Sequence, residues 1–340
     1  MYILKQQPED FRVKEISAIP CQEKGEYLYL ILIKKNHNTI DAIKKIAQRL
    51  HIPEKNIGFA GSKDKNAITE QICSIKHGSW EKVRKIRIPN INLQFFGYGT
   101  TPISLGDHTG NYFEIVARNL DAEKITNIKW IENYFDEQRF SERNVQIGRH
   151  LIKKEFKEAV LLIDDAIAHS HLVSHNNDYI GALQRMPLRL LRLYVNAYQS
   201  YLWNETLARY LSQKADLLTT VAYSAGELVF VADPEKFLDL EIPLLGFSDS
   251  KSQAEVEKII HNVMKKENIT HHDFIIKQIP ELSLEGELRK AFVEVKNVTI
   301  GRKMNDELNP GKKKVKVSFL LPKGSYATMV MKKMMQVKRS

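Results

Sequence analysis

Apolar and polar residues alternate in several short stretches of the chain, and this alternation predicts β-strands near both of its ends. Phe11 and Val13 fall on one face of a stretch from Glu9 to Glu15, and Tyr27–Ile33 is an apolar run of strand length. The same pattern predicts strands in segments 71–75, 94–98, 110–118 and 312–321. Both terminal parts of the chain are therefore expected to supply strands.

Helical spacing of apolar residues occurs between these strands. Ile40, Ile43 and Ile46 share one stripe, for which Thr39 is a plausible N-cap and Pro53 a terminator. A long helix is predicted after Pro187, with a buried stripe formed by Leu188, Leu191, Val195, Tyr198 and Leu202. Its other side is predicted to be a largely solvated face, formed by Arg189, Arg192, Asn196, Gln199 and Trp203.

Strands at both ends with helices between them indicate an α/β (α+β) protein in which one sheet is interrupted by an inserted, mainly helical domain. The sheet is expected to be mixed and largely antiparallel. We place the boundaries near residues 143 and 292, so that 1–143 with 292–340 form one domain and 144–291 form the insertion. A Met-rich terminal helix is expected after residue 328.

Composition narrows the choice of function and location. The apolar and charged fractions, 43% and 27%, are those of an ordinary globular protein, so disorder is not expected. No stretch approaches the ~20 apolar residues of a membrane span, and the N-terminus lacks a signal-peptide pattern. With two cysteines a disulfide framework is not expected, and a reducing, cytoplasmic location follows. The net charge of +10 is typical of a protein with a polyanionic partner, most naturally a nucleic acid, and fits a merely soluble basic protein equally well.

The segment from Phe59 to Gln71 combines a flexible glycine with a charged triplet. Gly61 lets the backbone bend, and Lys63 and Lys65 flank Asp64, so that a positive field favours the ionised carboxylate of a nucleophile or general base. The same composition also suits a solvated surface turn. A phosphate-binding loop is excluded, because two residues rather than four separate Gly58 from Gly61 and an aspartate follows the lysine.

Histidine pairs are the obvious metal candidates, and the sequence gives them little support. His169 with His171, and His271 with His272, lack further ligands at metal-like spacing. We therefore expect no metal site. No cofactor motif is present either, and no obligate protein partner is predicted.

Several separated motifs together resemble one enzyme family, the TruD family of RNA pseudouridine synthases. They occur in the family's order at residues 5–11, 60–71, 110–113, 133–141, 198–204 and 321–328. A single Gly-x-Lys-Asp motif would be weak support for a family assignment. This series of motifs is strong support, because it spans most of the chain in the family's order. The resemblance implies a pseudouridine synthase domain built from both ends of the chain, with a family-specific insertion between them.

The resemblance also implies the site residues. The family's catalytic aspartate corresponds to Asp64, and its N-terminal active-site lysine corresponds to Lys5, with Lys63 as the sequence-local alternative for an ion pair with Asp64. The residues implied to contact the substrate are Phe11, Lys63, Asn111, Phe113 and Tyr326. Phe113 would stack on the uracil. Without the family, Phe113 suits core packing equally well, Asn111 suits a turn, and Phe11 suits the inner face of a strand.

The implied reaction turns a uridine in tRNA, with uridine 13 as the usual target, into pseudouridine without a cofactor. Asp64 would act on the ribose or on the uracil ring, and the sequence leaves these alternatives open. The basic residues Lys82, Arg84, Lys85, Arg87 and Lys312–Lys314 are expected to contact phosphates. Two alternatives of a different class are an RNA-binding protein without catalysis and a nuclease, which would normally need a metal-binding carboxylate set or a histidine pair.

Overall fold

The structure is a computed structural model that describes residues 2–121, 125–140, 143–248 and 252–336. It contains two compact units, one formed by Met1–Lys129 and Glu294–Ala327 and the other by Trp130–Val293 and Thr328–Ser340. The domain boundaries predicted near residues 143 and 292 stay a prediction. Ser141, the last residue of one family motif, and residues 337–340 of the predicted catalytic domain lie outside the described residues.

The secondary structure mixes strands and helices along the whole chain. The strands are β1 (Phe11–Ile16), β2 (Tyr27–Lys35), β3 (Ile57–Phe59), β4 (Ile68–Lys76), β5 (Ile91–Gly99), β6 (Gly110–Leu120), β7 (Trp130–Glu132), β8 (Leu218–Tyr223), β9 (Gly226–Val231), β10 (Glu241–Leu244), β11 (Glu287–Lys290), β12 (Phe292–Glu294), β13 (Lys296–Ile300), β14 (Met304–Asn305) and β15 (Lys313–Pro322). The helices are α1 (Thr39–Leu50), α2 (Trp80–Val83), α3 (Glu137–Phe140), α4 (Asn144–Ile152), α5 (Phe156–Leu162), α6 (Ala166–Ser174), α7 (Tyr179–Gln184), α8 (Leu188–Lys214), α9 (Ala254–Glu267) and α10 (Ala327–Gln336).

The first unit is built on one large sheet with the strand order β13-β15-β6-β1-β4-β2-β5. β3 pairs with β4 and β14 pairs with β15 at its margins. β1 runs parallel to β4, whereas β6 is antiparallel to both β1 and β15, and β2 is antiparallel to both β4 and β5. The predicted mixed, largely antiparallel sheet is therefore confirmed, and β1 from the N-terminal part and β15 from the C-terminal part both pair with β6.

The apolar strand β2 is buried on both faces, because the sheet is covered on each side. Leu28, Leu30 and Leu32 pack with α1 in one core cluster, and Tyr29 belongs to a second cluster. α1 was expected to be capped by Thr39. Instead Asn38 is the N-cap, and its side chain accepts a hydrogen bond from the Asp41 amide. Thr39 is the first helical residue, which leaves its hydroxyl for another use.

The second unit is organised around the long helix α8, and the predicted start after Pro187 is confirmed. The expectation that Gln199 and Trp203 face solvent is wrong. Both are buried, since the segment around β10 covers them: Gln199 Nε2 donates to the Leu245 carbonyl oxygen and Trp203 Nε1 to that of Ile242. The β8–β9 and β10–β11 pairs were not predicted. None of the helices within the described residues is long and apolar enough to cross a membrane.

A buried charge cluster ties the N-terminal segment to the large sheet. Arg118 of β6 is 2% exposed, and its Nε lies 2.9 Å from both Asp10 carboxylate oxygens. Its Nη1 donates to Asp306 Oδ1 at 2.7 Å, and its Nη2 lies 3.1 Å from Glu307 Oε1. The Arg118 backbone also pairs with Ile3 through two bonds of 2.9 Å. This cluster therefore fixes the segment that carries Lys5.

The carboxylate of Asp306 gives the cluster a pH dependence. Burial alone would raise its pKa. Hydrogen bonds from the Asn119 amide, Asn309 and Arg118 outweigh this effect and hold the pKa far below its usual value of 3.8. A group with a lowered folded-state pKa binds fewer protons when folded, so its stabilising contribution is complete above the unfolded-state value. That contribution is lost as the pH falls.

We expect the Arg118→Met variant to lose about 3–5 kcal/mol of unfolding free energy, because two buried carboxylates would lose their cation. Chemical denaturation at pH 7 measures this loss. Arg12→Met is the matched control, since Arg12 lies exposed on the neighbouring strand and its loss should cost less than about 0.5 kcal/mol. Equal stability of the two variants would contradict a structural role for Arg118.

Candidate active site

The segment between β3 and β4, which contains Asp64, is held by two buried polar side chains. Thr39 Oγ1 accepts a hydrogen bond from the Lys63 amide and donates one to Gln71 Oε1, both at 2.9 Å. Gln71 Nε2 in turn donates to the Gly61 carbonyl oxygen at 3.0 Å. Thr39 and Gln71 are buried, so water does not compete for these hydrogen bonds. The bonds therefore fix the backbone immediately before Asp64.

A buried lysine, Lys34, bonds to the same stretch of backbone. The Lys34 ammonium donates to the carbonyl oxygens of His37 at 2.7 Å, Asp64 at 2.9 Å and Lys63 at 3.3 Å. Lys34 is 1% exposed, and burial lowers its pKa to about 8, an effect that the charge of Asp64 opposes and that of Lys63 reinforces. Three carbonyl dipoles thus replace water around this charge, and two of them belong to the segment that presents Asp64.

The Asp64 carboxylate itself is paired with Lys5. Lys5 Nζ lies 2.6 Å from Asp64 Oδ2, and the two side chains are 14% and 38% exposed. Lys5 has a φ of 57°, in the left-handed region that side chains rarely adopt. The backbone is therefore held in an unfavourable conformation that directs the ammonium towards Asp64. Within this ion pair the Asp64 carboxylate stays accessible to a ligand, since its side chain is 38% exposed.

Lys63, the alternative partner for Asp64, makes different contacts. Its Nζ lies 2.9 Å from Glu15 Oε2 and donates to Asn111 Oδ1 at 2.8 Å. Glu15 on β1 and Asn111 on β6 are directly opposite each other in the antiparallel register. Since the Glu15 side chain is fully buried, Lys63 supplies the cation that a buried carboxylate needs. Lys63 thereby links the loop of Asp64 to the strand of Asn111.

Aromatic rings form the floor beside this ion pair. Lys5 Nζ lies 4.2 Å from the centre of the Phe11 ring, which meets Phe113 edge-on at a centroid distance of 6.1 Å. Phe113 also contacts Phe319, and it is only 7% exposed. Tyr326 lies beyond the end of β15, whose Leu321 pairs with Asn111.

Direct contacts or chain adjacency therefore connect most of the residues predicted for the site, namely Lys5, Phe11, Lys63, Asp64, Asn111 and Phe113. Tyr326 is brought to the same end of the β6–β15 pair, half-buried, by the course of the chain. The structure places these residues within the first unit.

His108 is a neighbour that the sequence did not single out. A side chain at Gly61 would contact His108 Cε1 at 3.6 Å, and the buried His108 Nδ1 makes no hydrogen bond in the structure. Burial, and then the charge of Lys63, lower the pKa of His108. A neutral imidazole with an unused ring nitrogen thus borders the loop of Asp64.

The residues that hold the loop were missed for a common reason. Glu15, Lys34, Thr39 and Gln71 are polar residues within or beside strongly apolar segments. Their polarity in a buried strand is the signal that could have identified them, because a buried polar group needs a specific partner. Their partners lie far away in sequence, so the sequence alone did not reveal what they bind.

The charged side chains at this site are held in pairs, Lys5 with Asp64 and Lys63 with Glu15. Three ammonium groups, those of Lys5, Lys34 and Lys63, surround two carboxylates, those of Asp64 and Glu15. Within the described residues, no group of three or more His, Cys, Asp and Glu side chains could hold a metal ion. The chemistry available from these side chains is that of an oriented carboxylate.

The basic residues expected to bind phosphate fall into two classes. Lys312 pairs with Asp121, Lys314 pairs with Glu307, and Lys313 Nζ donates to Asn305 Oδ1 at 2.7 Å. These pairs balance much of the charge of that triplet. By contrast, Lys82 in α2 and Lys85 just after it are exposed, and their contact with phosphates stays a prediction.

Comparisons with known proteins agree with one another. A family model described as tRNA pseudouridine synthase D (TruD) matches residues 2–170 and 162–334. The tRNA pseudouridine synthase D of Aquifex aeolicus is 31% identical, covering 97% of each chain. A Methanocaldococcus jannaschii protein named "Probable tRNA pseudouridine synthase D 2" is 32% identical over 97% of this chain and 90% of its own. A crystal structure from Methanosarcina mazei, whose description names TruD, has a TM-score of 0.70 at 26% identity and covers 98% of this chain and 93% of that one.

Proposed function

Since this chain belongs to the TruD family of tRNA pseudouridine synthases and is thus an isomerase of uridine in tRNA, we propose that its target is uridine 13 and that Asp64 is the nucleophile. The observation that carries the second part is the Lys5–Asp64 ion pair on an aromatic floor. We also propose that the enzyme acts in the cytoplasm, where its substrate is found.

The reaction requires no net transfer to or from the substrate. The bond from the ribose C1′ to N1 of uracil breaks, the base turns, and C1′ bonds to C5. The proton displaced from C5 is balanced by the one that N1 gains, so neither an oxidant nor a reductant is consumed. A carboxylate that bonds transiently to the substrate divides this into two easier steps. Lys5 would hold the Asp64 carboxylate in position through their 2.6 Å ion pair.

The target uridine has to leave its stack before it can reach Asp64, which costs a few kcal/mol. Stacking on an aromatic ring returns about 1–3 kcal/mol. We assign this contact to Phe113 together with Phe11, and we assign Tyr326 to the opposite side of the base. Because Phe113 is 7% exposed, only a small part of its ring is accessible to the base.

Asn111 is proposed to bind the edge of the uracil. Its side-chain oxygen accepts from Lys63, so its two N–H donors are directed elsewhere and match the carbonyl oxygens of uracil. Lys63 would thus orient Asn111 as well as neutralise Glu15.

A modification assay tests the proposed target. Purified protein is incubated with an unmodified tRNA transcript, and pseudouridine is mapped by its carbodiimide adduct in primer extension. We expect one adduct, at position 13, and none in a matched transcript with cytidine there. An adduct elsewhere would overturn position 13 alone, whereas tRNA binding without any adduct would identify an RNA-binding protein that lacks catalysis.

A further inference from the structure

Three aromatic residues, Trp80, Phe95 and Tyr98, form a cluster of contacting rings on the large sheet. The Phe95 ring lies 5.7 Å from Trp80 and 5.6 Å from Tyr98, measured between ring centroids. Phe95 is 45% exposed although it lies in a strand of the large sheet. A phenylalanine in this position leaves an aromatic face open to solvent beside two further rings, and we call these three residues the aromatic cluster.

An irregularity in β5 creates this arrangement. Tyr29 of β2 pairs with Gly97 and Leu30 pairs with Phe95, so Phe96 is an extra residue without a partner in the register. Such a bulge changes which face the following side chains occupy. Tyr98 consequently packs on the same core cluster as Trp80, while Phe96 packs on the opposite one. Without the bulge, Tyr98 would point away from Phe95.

A basic segment directly follows Trp80 of the aromatic cluster in the sequence. Lys82, Arg84, Lys85 and Arg87 follow Trp80 within one short segment, and all four are exposed. Glu81 pairs with Arg84, so one negative charge offsets four positive ones. Aromatic rings bordered by lysine and arginine are the combination that binds unpaired nucleotides, because bases stack on the rings and phosphates contact the cations.

The sheet edge beside the aromatic cluster is poorly suited to pairing with a strand of another protein. Within the described residues, Ile88 forms a bridge with Ile91 at one end of β5, and Gln22 exchanges two hydrogen bonds with Tyr98 at the other. Only a short central stretch of the β5 edge is therefore open to a new strand. This is too little, because strand addition requires a long exposed edge. The exposed ring is thus a better ligand-binding feature than the strand backbone.

We propose that the aromatic cluster and the basic segment after it bind an unpaired nucleotide of the tRNA other than the target uridine, with the base stacked on Phe95. Lys34 of β2, whose ammonium bonds to the Asp64 carbonyl oxygen, pairs with Ile91 of β5, and Phe95 lies four residues further along that strand, roughly 13 Å away at about 3.3 Å per residue. One nucleotide therefore cannot occupy both places. The inference rests on the proposed function, since it takes tRNA as the ligand.

Variants at Phe95 separate stacking from general apolar contact. We expect Phe95→Leu to weaken tRNA binding about tenfold, and Phe95→Tyr, which keeps the aromatic face, to bind within twofold of the wild type. KM should rise with Phe95→Leu while kcat is unchanged. The control is Leu288→Ala, because Leu288 is similarly exposed at 47% in the other unit and its loss should leave the affinity unaltered.

The salt dependence of binding distinguishes the two parts of the surface. Lys82→Ala should reduce the slope of log affinity against log salt by about 1, whereas Phe95→Leu should leave it unchanged. Ultraviolet crosslinking should also attach tRNA to the peptide that contains Phe95. Unchanged affinity of Phe95→Leu together with no such crosslink would overturn the proposal, as would self-association that disappears in Phe95→Leu while tRNA binding persists.

These measurements can fail independently of the proposed function. Affinity that depends on Phe95 in a protein that makes no pseudouridine would support the aromatic cluster and refute the catalytic assignment. Pseudouridine formation by a protein whose tRNA affinity does not depend on Phe95 would support the catalytic assignment and refute the role of the aromatic cluster.

Discussion

The Asp64→Asn variant is expected to form no measurable pseudouridine in tRNA, a loss on the order of 10⁴-fold or more. An amide has nearly the shape of the carboxylate but carries no negative charge and is a very poor nucleophile. Asp64 is 38% exposed, so the substitution should not unfold the protein. Single-turnover assays with saturating enzyme measure the chemical step directly.

Binding and a neighbouring substitution make this result specific. Removing a negative charge beside an RNA site should keep or slightly improve tRNA affinity, since Lys5 is then unpaired. Lys65→Ala is the matched control: Lys65 lies in the same segment, is exposed, and should be dispensable for the chemical step. Product formation by Asp64→Asn at the wild-type rate would remove Asp64 from the mechanism.

The periodic patterns of the sequence predicted much of the large sheet because its strands are buried in a regular way. The alternation around Phe11 and Val13 and the apolar run from Tyr27 identified β1 and β2, although β2 extends to Lys35. The short strand β3 was missed, since three residues are too few to show a period. The β8–β9 hairpin was missed because the surrounding segment was predicted to be mainly helical.

The candidate site also contains features that the sequence predicted and features that it could not show. Family motifs supplied Lys5 and Asp64, and the ion pair that the resemblance implies is present in the structure. Spacing could not distinguish Lys5 from Lys63 as the partner, because the choice depends on Glu15 and Asn111, which draw Lys63 away. Nor could any local pattern show that Lys34 would reach carbonyl oxygens about 30 residues further along the chain.

Lys34 is expected to act as a positioning residue, and Lys34→Met should lower kcat about 10- to 100-fold with little change in KM. The Lys34 ammonium holds the carbonyl oxygens of Lys63 and Asp64, so its loss would let the Asp64 carboxylate move. Misplacement of a reacting group by about 1 Å can cost 100-fold. Lys44→Met, on the exposed face of α1, is the control and should retain full activity.

The pH dependence separates this role from simple stability. The pKa of Lys34 is about 8 in the folded protein and 10.5 ordinarily, so between these values the unfolded state binds more protons. The contribution of Lys34 to folding stability therefore rises with pH across this window. The kcat of the wild type should fall over the same range, because the neutral amine holds the carbonyl oxygens less tightly. Activity and the contribution of Lys34 to stability are thus expected to change in opposite directions.

A charge-retaining variant completes the test. Lys34→Arg stays protonated throughout this range, so it should recover part of the kcat lost in Lys34→Met and show no alkaline decline near pH 8. A structural role alone would lower the unfolding free energy and kcat together and would not remove one limb of the pH profile. The Lys34 ammonium bonds to three backbone carbonyl oxygens, two of which belong to the segment that presents Asp64. An unchanged profile in Lys34→Arg would therefore mean that another group causes the decline.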